Sequence, residues 1–127
     1  MINAALGAVA LLTPTPEQLA QAQLDAYNAR DLEAFVAQYS EDVEVYTYPG
    51  VLTLSGRADF TARYRSRFET EGLRAEVTHR AVLGNRVIDH ELAWTSGPGQ
   101  PPVEVVVIYT VEDGLIARVE FVSGSSE

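Results

Sequence analysis

The sequence has no cysteine and no lysine, one methionine, one tryptophan and two histidines. Without cysteine, neither a disulfide nor a thiolate metal site can hold the fold, and the redox compartment stays open. Without lysine, all nine basic residues are arginine, set against 18 acidic ones for a net charge of −9. A field of that sign repels phosphate backbones and anionic lipid surfaces, so neither nucleic acid nor a membrane is expected as a partner. No apolar run reaches the length of a membrane span, and a cytoplasmic location is the expectation. Repeats and low-complexity runs are missing. So are phosphate-cradling glycine loops, nucleophile motifs and paired-carboxylate spacings; the GPG at residues 97–99 belongs to a hairpin loop. No motif implies a cofactor.

What is present is ordinary for a globular chain: 46% hydrophobic and 21% charged residues over 127 positions. A chain of this length suits one domain, burying roughly two-thirds of its unfolded surface. The opening MINAALGAVALL is apolar, with Ala8, Val9 and Ala10 imitating a cleavage site, but it lacks a positively charged start. It reads as a frayed or partner-packed segment rather than a signal. The expected organisation is a flexible segment over 1–14, a single domain over 15–123 and a tail over 124–127.

Thr15, Pro16 and Gln18 read as an N-cap, a proline at the first helical position and the closing partner of a capping box. Leu19, Ala20, Leu24 and Tyr27 follow at helical spacing. The pattern breaks at Asn28 to Arg30, and Asp31 then caps a second helix carrying Leu32, Phe35, Val36 and Tyr39. Asp42 to Tyr48 reads as a strand ending at Pro49 and Gly50, with Val51 to Leu54 as a short neighbour. Ser55 is expected to cap a third helix to about Thr70, with Phe60, Tyr64 and Phe68 on one stripe. Arg57, Arg63, Arg65 and Arg67 surround that stripe as a solvated face. After Gly72 four strands follow, Leu73 to Leu83, Arg86 to Thr95, Val103 to Val111 and Leu115 to Val122, an antiparallel meander with a hairpin dipeptide at Asp113 and Gly114.

If Gly84 and Asn85 form a turn, an unbroken ladder places Ala81 opposite Ile88, His79 opposite His90, Val77 opposite Leu92 and Ala75 opposite Trp94, on a face that is apolar but for its histidines. The other face then carries Arg80 with Asp89 and Thr78 with Glu91, and is assigned to solvent. In the last hairpin the same rule puts Val106 with Phe121 and Ile108 with Val119 inside, and Val105, Val107 and Tyr109 outside. A strand apolar on both sides needs both covered. Three helices cover one, so a homodimer through the outer face is expected.

Two stretches, AYNARDLEAFVAQYSEDVEVY followed by LSGRADFTARY, and the closing VVVIYTVEDGLIARVEFV, resemble the nuclear transport factor 2-like superfamily in its SnoaL-like and ketosteroid isomerase-like branches, from about Glu17 to Val122. The resemblance implies a cystatin-like α+β fold: a cone-shaped half-barrel, with three N-terminal helices packed in the concave face of a curved, mostly antiparallel sheet, around a small hydrophobic ligand pocket. Set against the ketosteroid isomerases, the family's general-base Asp falls on Thr47, its oxyanion-hole Tyr on Gln23 and its protonated Asp on Val106. None of these can do the corresponding job, so steroid isomerase chemistry of that type is not expected. Two pocket tyrosines of that branch are matched, at Tyr39 and Tyr64.

The residues then nominate His79 and His90 as the catalytic acid and base, because two imidazoles side by side in an apolar wall cannot both carry charge and one stays available near pH 7. The expected pocket comprises Gln23, Tyr27, Tyr39, Thr47, Tyr64, Trp94, Glu104, Val106, Ile108 and Phe121, with Glu104 the one inward carboxylate at its rim. Asp89 and Glu91 flank His90, but alternation turns them away from it, so no metal site is expected. The expected function is cofactor-independent acid/base chemistry of isomerase, cyclase or dehydratase type on a small hydrophobic carbonyl or polyketide-like compound. The alternative is a non-catalytic ligand-binding or dimerisation module.

Overall fold

The computed structural model describes residues 13–124; the apolar run 1–12 and the tail from 125 lie outside the described residues. The reading of the first helix start is realised in detail. Helix α1, Pro16–Ala29, starts at Thr15, whose hydroxyl accepts from the Gln18 amide at 3.1 Å while the Gln18 side chain accepts from the Thr15 amide at 2.9 Å. Two donors that the first turn leaves unpaired are thereby satisfied. Arg30, in the left-handed region at φ 60°, ends α1, and Asp31 caps the short α2, Leu32–Val36, by accepting from the Ala34 amide. Tyr39, read from sequence as a helix residue, instead opens β1, Tyr39–Thr47. Strand β2 is Val51–Ser55. Ser55 therefore belongs to a strand and caps nothing; α3, Arg57–Arg67, begins at Gly56 without a side-chain cap.

Strands β3 (Arg74–Leu83), β4 (Arg86–Trp94), β5 (Val103–Glu112) and β6 (Leu115–Ser123) complete a six-stranded sheet in the order β2-β1-β6-β5-β4-β3. Only the β1 with β6 pairing is parallel. Asp113 and Gly114 both take positive φ in the β5–β6 turn, which is what a two-residue hairpin with the sheet's own twist requires. Helix α1 is pinned to edge strand β3 by Asn28, whose amide donates to the Ala75 carbonyl at 3.0 Å and accepts from the Ala75 N–H at 2.8 Å, as a neighbouring strand would. Leu19, Phe35, Phe60, Val43, Val87, Val107 and Ile116 fill the layer between helices and sheet.

Two bulges decide which face that layer meets. The β3–β4 ladder runs as expected from Leu83 with Arg86 to His79 with His90, then shifts so that Val77 faces Glu91 and Ala75 faces Ala93. Thr78 is the extra residue, its hydroxyl donating to the His90 carbonyl at 3.1 Å. In β5–β6, Val111 faces Ile116 but Thr110 faces Arg118, so Ala117 is extra and Tyr109 meets Val119 and Val107 meets Phe121. One inserted residue moves every later side chain to the opposite face. Ala75, Val119 and Phe121 do face the helices, but they bring Val107 and Tyr109 with them. The assignment of faces is therefore corrected: Asp89, Glu91, Val105, Val107 and Tyr109 lie beneath the helices, and His79, His90, Trp94, Val106 and Ile108 lie on the other side.

Candidate functional site

The sequence RVIDHELAW sends Val87, Asp89, Glu91 and Ala93 of β4 to the helix side, placing two carboxylates at successive inward positions. Their surroundings differ. Asp89 is wholly buried and receives both arms of Arg80, its cross-strand partner: Nε donates to Oδ1 at 2.7 Å and Nη2 to Oδ2 at 3.0 Å. The remaining Arg80 arm, Nη1, donates to Oε1 of the Gln21 side chain on α1 at 2.9 Å. A buried ion pair of this forked geometry leaves little unsatisfied.

Glu91, 7% exposed, has no such cation. It stands at the end of a directed chain of donors. The Tyr39 hydroxyl donates to Gln23 Oε1 at 2.8 Å, Gln23 Nε2 donates to the Tyr109 hydroxyl at 3.0 Å, and Tyr109 donates to Glu91 Oε2 at 3.3 Å. A second Gln23 bond, from Nε2 to the Ala20 carbonyl at 2.9 Å, fixes which way the amide points. Burial, and then the negative charge of Asp89, push the Glu91 carboxyl up to about 7, against a partial pull downward from the Tyr109 bond and Arg80. Burial also holds the Tyr39 and Tyr109 phenols well above 10 and pushes Tyr64 to about 12. At neutral pH the tyrosines thus remain donors while Glu91 exchanges its proton.

Between α1, α3 and the inner sheet lies a cavity of about 80 Å³, lined among others by Gln23, Tyr27, Tyr39, Tyr64, Arg67, Glu91, Thr95, Tyr109 and Phe121. Aromatic side chains make much of its wall: the Phe35 and Tyr64 centroids lie 4.8 Å apart, and Tyr39 of β1 packs at 4.4 Å on Phe60 behind them. The cavity is thus aromatic on one side, with one carboxyl opposite.

A family model for the SnoaL-like domain matches residues 20–119. The chain belongs to the SnoaL-like family. Among solved structures this SnoaL-like domain is similar to an uncharacterised cystatin-fold protein from Novosphingobium aromaticivorans, at 26% identity and a TM-score of 0.76, covering 84% of this chain and 97% of that one. It is also similar to a provisionally assigned ketosteroid isomerase from Kribbella flavida, at 24% identity and a TM-score of 0.76 over 91% and 82% of the two chains. A provisionally assigned polyketide cyclase from Pseudomonas putida is 25% identical with a TM-score of 0.61, over 84% and 90%. No curated protein matches the sequence.

Within the SnoaL-like domain, Gln23, Tyr27, Tyr39, Tyr64 and Phe121 of the residues nominated from sequence come together around the cavity. The others do not. Thr47 lies at the exposed end of β1, and Trp94, Glu104, Val106 and Ile108 are on the far side of the sheet. His79 and His90 also lie there, their rings stacked with centroids 5.9 Å apart and His90 Nε2 at 2.5 Å from Glu104 Oε2. The histidine pairing is as read, but the Thr78 bulge puts it outside. Sequence reasoning missed Glu91, Tyr109 and Arg67 as cavity residues. One signal was available: Val105, Val107, Tyr109 and Val111 form a β5 face without charge, whereas the alternate face carries Glu104 and Glu112. Among the described residues, no group of three or more histidines and carboxylates is arranged to hold a metal, and no helix is long and apolar enough to cross a membrane.

Proposed function

We propose that this SnoaL-like domain binds a small hydrophobic carbonyl compound of polyketide-like type in the cavity beneath its helices and moves a proton on it through Glu91, without a cofactor. The observation that carries this reading is the buried Glu91 carboxyl, poised at about 7 at the end of the Tyr39, Gln23 and Tyr109 chain. A base whose pKa matches the working pH is both available and strong enough to act. As the carboxylate, Glu91 takes a proton from the carbon next to the ligand's carbonyl; Tyr27 or Tyr64 donates to the carbonyl oxygen as it gains negative charge. In a ligand with a carbon–carbon double bond one carbon further along, Glu91 then returns the proton to the far carbon of the dienolate as the double bond shifts, an isomerisation; in a ligand with a second carbonyl, the enolate carbon attacks that carbonyl carbon, its π bond opens to an alkoxide and Glu91 protonates the alkoxide oxygen, a cyclisation. The names borne by the Kribbella and Pseudomonas proteins belong to this range of chemistry. The reading includes the cone-shaped half-barrel with helices in its concave side, and a homodimer through the outer face, where Ile88, Leu92, Trp94, Val106, Ile108 and Val122 are only partly covered.

The cavity volume favours a second reading. At about 80 Å³ it is smaller than the ~150 Å³ that admits benzene and well below the roughly 300–1,000 Å³ of ordinary ligand pockets. A non-catalytic module would keep it closed. The discriminating experiment follows deuterium incorporation next to the carbonyl of butanone and other small ketones by NMR in heavy-water buffer at neutral pH. The wild type should exceed buffer, and Glu91→Gln should fall to the buffer rate. Equal rates for the two proteins, or no acceleration over buffer, would sink the enzymatic reading.

A further inference from the structure

The arginines of α3 are not alike. Arg63 and Arg65 are exposed. Arg57 is committed to the fold, donating through Nη2 to the Tyr39 carbonyl at 2.7 Å. Arg67, in the last turn, is half-buried and lines the cavity. Its guanidinium carbon lies 5.9 Å from the centroid of the Tyr64 ring, and its charge offsets part of the rise that burial imposes on the Tyr27 phenol. Among the described residues it has no carboxylate partner. Nor is it committed to Glu91, on which the acting charges are those of Asp89 and Arg80. With no counter-ion, this half-buried guanidinium leaves its fork of donors at the cavity open to an arriving anion.

We propose that the ligand of this cavity carries a carboxylate, and that Arg67 binds it. The inference rests on the cavity being a ligand site, and adds the class of ligand. A guanidinium offers a planar fork of donors that matches the two oxygens of a carboxylate. A phosphate is commonly met by several donors at once, such as a glycine-rich turn or a nest of backbone amides, and here the wall around Arg67 is aromatic, with Tyr27 and Tyr64. The volume selects a short chain: a small keto or enoic acid with its carboxylate at Arg67 and its reactive carbon directed inward to Glu91.

The test compares isobutyrate with isobutyramide, which has the same shape and no charge, by amide NMR titration at pH 6, where an aliphatic carboxylate is ionised. Isobutyrate should give saturable shifts at Ala93, Thr95 and Arg67, and bind about tenfold or more tightly than the amide. Arg67→Gln should erase that preference, and Arg67→Lys should restore part of it; both spectra report whether the variant is folded. Equal binding of acid and amide, or an unchanged preference in Arg67→Gln, overturns the role of Arg67 while leaving the cavity as a ligand site. Inorganic phosphate binding as tightly as isobutyrate overturns the assignment to a carboxylate. Cavity resonances that respond to neither acid nor amide overturn both this inference and the reading on which it rests.

Discussion

The two faces of this sheet carry similar inventories of titratable groups and put them to opposite uses. Beneath the helices, Asp89 and Glu91 are buried in a wall of valines and tyrosines; on the open side, His79, His90 and Glu104 sit among partly exposed aliphatic residues. Hydrophobicity alone would bury the histidines and expose the acids. What reverses the outcome is satisfaction of hydrogen bonds: Asp89 has the fork of Arg80, and Glu91 has the Tyr109 hydroxyl and a carboxyl that keeps its proton up to about 7. A buried polar group costs little when its partners are built in, and several kcal/mol when they are not.

The strongest way to break this comparison is to remove the partner from Asp89. Arg80→Met keeps most of the aliphatic volume but strands a fully buried carboxylate, and should lower stability by about 3–5 kcal/mol in urea unfolding. A loss below ~1 kcal/mol would mean that Asp89 reaches water and the two faces are not distinct. Next in size is the pH dependence set by Glu91. A carboxyl raised from an ordinary 4.5 to about 7 in the folded state contributes stability that is fully present below 4.5 and is lost as pH rises through 7. The folded chain binds more protons than the unfolded one across that window, so stability falls by roughly 3 kcal/mol between its ends. Glu91→Gln should flatten this profile, matching the wild type near pH 4.5 and exceeding it at pH 8. Parallel profiles in the two proteins would show that Glu91 is solvated. Tyr109→Phe should cost about 1–2 kcal/mol by leaving Gln23 and Glu91 each short of a partner. It should also move the Glu91 titration, followed by carboxyl carbon NMR, further above 7, because the lost bond is one that lowers it.

Much of the fold can be read directly from the residues. The Thr15 and Gln18 capping box, the Asp31 cap, the Asp113 and Gly114 hairpin and the first half of the β3–β4 register are local, and local chemistry determines them. The aromatic side of the cavity is legible because Tyr27 and Tyr64 sit at helical spacing and Tyr39 and Tyr64 carry a family likeness. The Glu91 side of the cavity was not legible, because it depends on two single-residue bulges, at Thr78 and Ala117, that have no glycine or proline to mark them. Each bulge exchanges the faces over half a hairpin. With β5 apolar on both sides, nothing in the pattern of hydrophobicity alone objects to the wrong choice.

The smallest effects are expected from the residues that the sequence first nominated, and they sharpen the comparison from the other side. In His90→Ala the lost contact with Glu104 is between side chains that are 40% and 67% exposed, so stability should change by less than about 1 kcal/mol. The Glu91 titration should not move at all, since the sheet separates the two groups. His79→Ala should behave the same way, because its ring stacks on His90 in the open. If the outer face joins two copies, both variants should alter the concentration dependence of the oligomeric state in sedimentation while leaving cavity binding untouched. A loss above ~2 kcal/mol at constant oligomeric state, or a displaced Glu91 titration, would instead return the histidines to the interior and exchange the faces once more.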